Sequence, residues 1–232
     1  MSGYPAGVRT LMPPSALPLV LPGVYTPQED TALLASALSE EPLRPGADVL
    51  DLGTGTGALA IAAARRDARV TAVDVSWRAV CTAWLNAWLA EVPVRIRRGD
   101  LFAPVRNQSF DLILTNPPYV PAPCAQRPPR GTARAWDAGL DGRFLLDRIC
   151  RGAPSRLRQG GVLLIVHSAL CDSDRTVEHL RGAGLEADVI HRQRIAFGPV
   201  MHARADWLRA RGLLPPADDK EELVVVRAEL PV

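Results

Sequence analysis

The sequence predicts an α/β fold: a doubly wound, Rossmann-like, seven-stranded and mostly parallel sheet with helices on both faces. Three observations carry this. Short unbroken apolar runs such as "DVLDL", "TAVDV" and "DLILT" have the length of strands buried on both faces. These runs alternate with segments of helical periodicity. A glycine-rich turn, "GTGTG", follows the first of them.

Residues 1–22 are rich in Pro and Gly and read as an irregular tail; 23–232 reads as a single domain with no internal repeat and no linker. Within it, Pro27–Glu40 has proline at its start, acids in the first turn, and Leu33, Leu34, Ala37 and Leu38 on one face, the marks of a helix. "GADVLDLGTGTGALAIAAARR" runs strand, turn, helix, and "ARVTAVDVSWRAVCTAWLNAWLA" repeats strand and helix. "VPVRIRRGDLF" supplies a third strand and "FDLILTN" a fourth. A polar, proline-rich loop over 121–138 leads to a helix in "DGRFLLDRICRGAPSRLRQ". "GGVLLIVHS" is the fifth strand and "DSDRTVEHLRGAG" a helix. "LEADVIHRQRIAF" and "KEELVVVRAEL" are the last two strands, with a helix near 200–211 between them. The charged start and late position of the final strand suit an antiparallel run at or near an edge.

Composition narrows the function classes. With 47% hydrophobic and 22% charged residues among 232, a soluble core is expected, and a net charge of +2 makes no global demand for nucleic acid or membrane. Cys81, Cys124, Cys150 and Cys171 form no C-x-x-C pair and have no histidine at zinc spacing, which predicts reduced thiols and no metal. The apolar stretch near the N-terminus is broken by prolines, unlike a signal peptide, and no run reaches the roughly 18 apolar residues of a membrane span. A cytoplasmic monomer is the expectation.

In an open parallel sheet, ligands bind outside the carboxyl ends of the strands. Asp51 precedes Gly53, Gly55 and Gly57, so the spacing is G-x-G-x-G, one residue short of the dinucleotide fingerprint, and an acid stands before it. A pyrophosphate would be repelled there, whereas an ammonium group would be attracted. Asp74 ends the second strand, where a carboxylate can accept both ribose hydroxyls. Asp100 ends the third, within reach of an adenine amino group. Any one of these acids is an ordinary turn former. Together with the turn they describe a nucleoside with a cationic amino-acid tail, S-adenosylmethionine, leaving as S-adenosylhomocysteine.

The fourth strand ends at the same edge in Asn116-Pro117-Pro118-Tyr119. Residues before proline are extended, and prolines cannot donate although their carbonyls accept. The Asn116 side chain adds another carbonyl acceptor. Convergent acceptors suit a planar NH2, either a carboxamide or an exocyclic base amine, with Tyr119 packed flat against it. A strand terminator explains the prolines alone.

"DLGTGTG", "VDVS", "GDLF" and "TNPPYV" resemble the class I S-adenosylmethionine-dependent N-methyltransferases, and within them the HemK family of protein-(glutamine-N5) methyltransferases. "VYTPQEDTALL" is similar to the opening of the short HemK2-like branch, and "AWDAGLDGRFLLDRI" to the stretch after the catalytic loop. The resemblance implies cofactor contacts at Thr31, Asp51, Gly53, Asp74, Asp100, Leu101 and Asn116, to which the turn adds Gly55. It implies that Asn116 and Pro117, with Pro118 beside them, hold the substrate amide and that Tyr119 packs on it. It also implies a protein substrate such as a peptide chain release factor, and for the short branch a small zinc-binding activator protein. Longer bacterial members carry a helical N-terminal domain where this chain has a proline-rich tail. The alternatives are an N6-adenine methyltransferase on DNA or RNA, and a cofactor-binding partner protein without catalysis. No target-recognition domain for DNA is visible.

Residues 191–212 hold Arg192, Arg194, Arg204, Arg209 and Arg211 against Asp206. They suit an acidic partner or RNA, or a solvated helix face and hairpin. Trp77, Trp84 and Trp88 lie on or beside a helix and are expected to serve packing rather than a base-stacking platform. His167, His179, His191 and His202 show no ligand pattern.

Overall fold

The computed structural model describes residues 18–124 and 132–232. Most of the proline-rich tail and the centre of the 121–138 loop lie outside these residues. Among the described residues helix α1 (Glu29–Glu40) comes first. The chain then alternates β1 (Asp48–Leu52), α2 (Ala58–Ala64), β2 (Arg69–Asp74), α3 (Trp77–Leu89), β3 (Val94–Arg98) and β4 (Phe110–Thr115). It continues with α4 (Leu146–Gly152), β5 (Leu157–Ser168), α5 (Ser173–Gly182), β6 (Glu186–Ala196), α6 (Pro199–Ala210) and β7 (Lys220–Glu229).

The sheet has seven strands in the order β3-β2-β1-β4-β5-β7-β6. β1 to β5 run parallel, and β7 is antiparallel to both neighbours. The period of two along each strand sends alternate side chains into two cores. Leu50, Leu52, Ile113, Leu163 and Ile165 pack with α4 and α5 on one face. Val49, Leu112, Leu114, Leu164 and Val166 pack with α1 and α2 on the other. This is the doubly wound α/β arrangement that the alternating pattern predicts.

Two details differ from the expectation, while the last strand runs antiparallel near an edge as expected. The helix expected to run through Gln159 stops at Gly152. Pro154 cannot extend it and opens a 3-10 turn, after which Leu157–Gln159 belong to β5. Gly161 allows this early pairing, because a Cβ there would lie 2.9 Å from Phe110 O. β7 is one strand in from the edge, and the edge itself is β6. Burial fits this order: Val224, Val225 and Val226 are wholly covered, while β6 alternates exposed and half-buried residues. The tryptophans are a correction. Trp77, Trp84 and Trp88 are 55%, 60% and 64% exposed on the outer face of α3, whose small residues Ala79, Ala83 and Ala87 make the inner contacts.

Candidate active site

The carboxyl ends of β1, β2 and β4 and the turn after β3 open onto one cavity of about 450 Å³, a size that suits a small-molecule ligand. One wall is the turn after β1. Gly53 (φ 72°) and Gly57 (φ 84°) take left-handed backbone that a side chain would strain. A Cβ at Gly57 would also stand 3.1 Å from Ala83 Cβ, so this glycine lets α2 approach α3. Gly55 N–H donates to Asp74 Oδ2 at 3.1 Å, and Ser76 N–H donates to Asp74 Oδ1 at 2.8 Å. Asp100 sits in an Arg148 ion pair of 2.6 Å. Next to it Leu101 has φ 45°, strained backbone for a leucine, at the cavity wall.

Asp51 is set back from the cavity wall. Its carboxyl is 1% exposed; Oδ2 accepts from the Thr54 hydroxyl at 2.6 Å and from Ala60 N–H at 3.1 Å. Oδ1 has no hydrogen-bond partner among the described residues. Burial pushes this carboxyl up to about 7, and the Asp74 charge adds to the effect against the two hydrogen bonds. A buried carboxyl with an open oxygen beside a glycine turn, and two further acids at the cavity rim, fit a ligand with an ammonium group and a nucleoside.

The opposite wall is built on the end of β4. The Thr115 hydroxyl donates to Leu52 O at 2.9 Å, joining β4 to β1 beneath the turn. Asn116 Nδ2 donates to Thr31 Oγ1 at 3.2 Å, and Thr31 Oγ1 donates to Asp30 Oδ1 at 3.2 Å. With its NH2 engaged there, the asparagine side chain offers Oδ1 as an acceptor. Asp30 Oδ2 accepts from two phenols, Tyr25 at 2.8 Å and Tyr119 at 3.0 Å. Both tyrosines are raised well above their ordinary 10, first by burial and then by the Asp30 charge. They are neutral donors that fix the carboxylate between them. The other end of Tyr119 is held by Cys171, whose Sγ donates to its carbonyl at 2.9 Å.

Beyond Tyr119 the chain runs as an extended rail. Val120 N–H donates to Trp136 O at 2.9 Å, and Ala138 N–H donates to Val120 O at 3.0 Å. Arg204 of α6 donates to Pro121 O at 3.0 Å and is paired with Asp137. Val120, Phe197, Met201, Ala205 and Leu208 form a small third core under this corner. The arginine-rich segment therefore is mostly paired within the molecule: Arg192 with Glu222, Arg194 with Asp218, Arg209 with Asp206. Arg211 stacks on Trp207.

The cavity thus gathers Thr31, Gly53, Gly55, Asp74, Asp100, Leu101, Asn116, Pro117, Pro118 and Tyr119, and leaves Asp51 behind its wall. Sequence reasoning missed Tyr25, Asp30, Cys171, Arg204 and Glu221. Tyr25 and Asp30 lie inside "VYTPQEDT", yet no spacing rule links them to Tyr119, 89 positions from Asp30. Among the described residues no group of three His, Cys, Asp or Glu side chains could hold a metal ion. No helix among them is long and apolar enough to cross a membrane.

Residues 19–126 match the methyltransferase small domain family. A candidate protein N5-glutamine methyltransferase of Methanocaldococcus jannaschii is 36% identical, covering 78% of this chain and 90% of its own length. A release factor glutamine methyltransferase of Bordetella pertussis is 38% identical over 76% of this chain and 67% of its own. The chain spans 54% of the corresponding protein of Geobacter sulfurreducens. Among solved structures, the E. cuniculi Mtq2-Trm112 complex, described as responsible for methylation of the eRF1 termination factor, aligns with a TM-score of 0.64. Identity is 23%, with 89% of this chain and 98% of that one covered, a likeness of fold.

Proposed function

The chain belongs to the S-adenosylmethionine-dependent protein N5-glutamine methyltransferases, and from that membership we propose that it methylates the side-chain amide of a glutamine in a protein. A peptide chain release factor is the first choice, and the cytoplasm the place. The observation that carries this reading is the Asn116–Thr31–Asp30–Tyr119 chain at the end of β4. It fixes an acceptor oxygen and a flat ring beside a cavity whose other wall suits the cofactor.

Bound S-adenosylmethionine supplies an electrophilic methyl on a sulfonium. Asp74 and Asp100 hold its ribose and adenine, Thr31 and Leu101 line its bed, and the Gly53 and Gly55 backbone allows close approach. Asp51 supports the cation by its charge from behind the cavity wall. On the other side, Asn116 Oδ1 and the Pro117 carbonyl accept the two N–H bonds of the acceptor amide, and Tyr119 packs on its plane with Pro118 stiffening the rail. An amide lone pair is delocalised, so aiming the nitrogen matters more than removing a proton first. The same acceptors stabilise the positive charge that grows on nitrogen. The proton leaves after transfer, when the nitrogen is acidic.

A small partner chain is part of the proposal. The exposed tryptophans of α3 and the free edge of β3, with Arg95, Arg97 and Arg98 exposed, form a surface of the kind that partners cover.

The test is transfer of tritium from methyl-labelled S-adenosylmethionine to purified release factor, followed by peptide mapping. Label on a glutamine supports the reading, and Asn116→Ala should lower transfer about a hundredfold or more. Label that appears only in nuclease-sensitive material of a lysate would replace it with the adenine alternative.

A further inference from the structure

The antiparallel course of β7 has a consequence for the cavity. Because β7 runs against β5, its first residues arrive at the carboxyl edge, where the parallel strands end. Glu221, the second residue of β7, pairs with Ile195 of β6, and Ile195, Ala196 and Glu221 all line the cavity. Glu221 is 6% exposed, and its Oε1 is buried with no hydrogen-bond partner among the described residues. Ser168 at the end of β5 lies beside the carboxyl; the groups that feel its charge are Asp30, Tyr25, Tyr119 and Cys171. These are the acceptor-side residues, not the acids at the ends of β2 and β3. Glu221 also lies outside the 19–126 family match.

A buried carboxyl oxygen without a partner is costly and calls for a donor. The Ser168 hydroxyl hydrogen-bonds to the carboxyl, yet Oε1 is left without a partner among the described residues. The phenols of Tyr25 and Tyr119 are both committed to Asp30 Oδ2, and Cys171 Sγ to the Tyr119 carbonyl. The acceptor amide's own NH2 is taken by the Asn116 rail in the proposed reaction. The remaining donors are those of the chain that carries the amide. A polypeptide entering beside Tyr119 brings a backbone N–H one residue from the reacting side chain, and a purine or a pyrimidine brings none.

Resting on the proposed function, we propose that Glu221 determines specificity: its Oε1 accepts a hydrogen bond from a backbone N–H of the acceptor polypeptide flanking the methylated glutamine. The cofactor is bound by other residues, so Glu221 acts on acceptor binding alone.

The experiment uses the full chain and a synthetic release-factor peptide containing the glutamine. A matched peptide has an ester in place of the flanking amide, which deletes the N–H. Glu221→Ala is expected to raise KM for the amide peptide about tenfold or more, with kcat and the cofactor KM changed less than twofold. Glu221→Gln keeps an acceptor oxygen and should restore most of the loss. The ester should cost the wild type a similar factor and cost Glu221→Ala nothing further, a coupling that a merely structural role would not produce. Equal ester penalties in both proteins, an unchanged peptide KM, or a rise confined to the cofactor KM overturns the inference while the wild type still methylates. Absence of transfer to any glutamine by the wild type overturns the proposed function and this inference with it.

Discussion

Arg143 is 2% exposed, and it is held by what it donates to. Its guanidinium reaches Asp147 Oδ1 at 2.9 Å, Asp172 O at 2.9 Å, Thr176 Oγ1 at 3.0 Å and the Cys171 carbonyl. It therefore ties the loop after β5 to α4 and α5, and through Cys171 it supports Tyr119. Arg143→Met leaves those buried carbonyls without a donor and should cost about 3 kcal/mol in urea unfolding. Asp51 makes a prediction in pH. Its folded value of about 7 lies above the ordinary 3.8, so between about pH 4 and 7 the folded state keeps a proton that the unfolded state has lost. Stability from this group is present at low pH and declines as pH rises through that window, by about 1.4 kcal/mol per unit at its steepest. Asp51→Asn should lack that slope, which then appears as a pH dependence of the difference between mutant and wild-type stabilities. Cation binding at the site favours the ionised form, so cofactor affinity should weaken as pH falls below about 7. The residue types Asp51, Asp74, Asp100 and Asn116 stood out in the sequence because strand ends are countable from hydropathy. The Asp30–Tyr25–Tyr119 cluster did not, because it joins residues distant along the chain through side-chain atoms.

At the scale of elements, the loop that follows β4 is set by Gly142. It has φ 73°, and an added methyl would collide with the Tyr119 carbonyl and the Cys171 sulfur. Gly142→Ala should therefore displace the rail proposed to hold the acceptor, lowering kcat more than it lowers melting temperature; both are measured on the same preparation. Helix α3 shows where pattern reading fails. Apolar residues at helical spacing normally mark the buried face, but here alanines fill it and the tryptophans point outward. Side-chain volume decides: Gly57 brings α2 so near Ala83 that no large residue fits between the helices. If a partner covers the tryptophan face, its addition should blue-shift the intrinsic fluorescence, and Trp84→Ala should abolish the shift without changing the protein's far-UV spectrum. The end of α4 is a second such place, where a continuous polar pattern concealed a change from helix to strand at Pro154 and Leu157.

For the whole molecule, the alternation of strand and helix was sufficient to read the class, the seven strands and the edge at which the site lies. The order of the last two strands was not readable, since both carry apolar and charged residues and only burial separates them. That order also governs how the protein can be made. β6 emerges from the ribosome before β7, yet it has no place in the sheet until β7 lies between it and β5. During that interval β5 and β6 each offer an unpaired edge, β5 with Val162 to Val166 among the most apolar residues of the fold. Completion of the sheet is a non-local event that waits on the segment from Lys220 to Glu229. A nascent chain stalled before Lys220 should bind holdase chaperones and resist native release, whereas one extended past Glu229 should fold on its own. Final closure of the sheet and delivery of Glu221 to the cavity are then one step, so an unfinished chain would have no complete cavity wall.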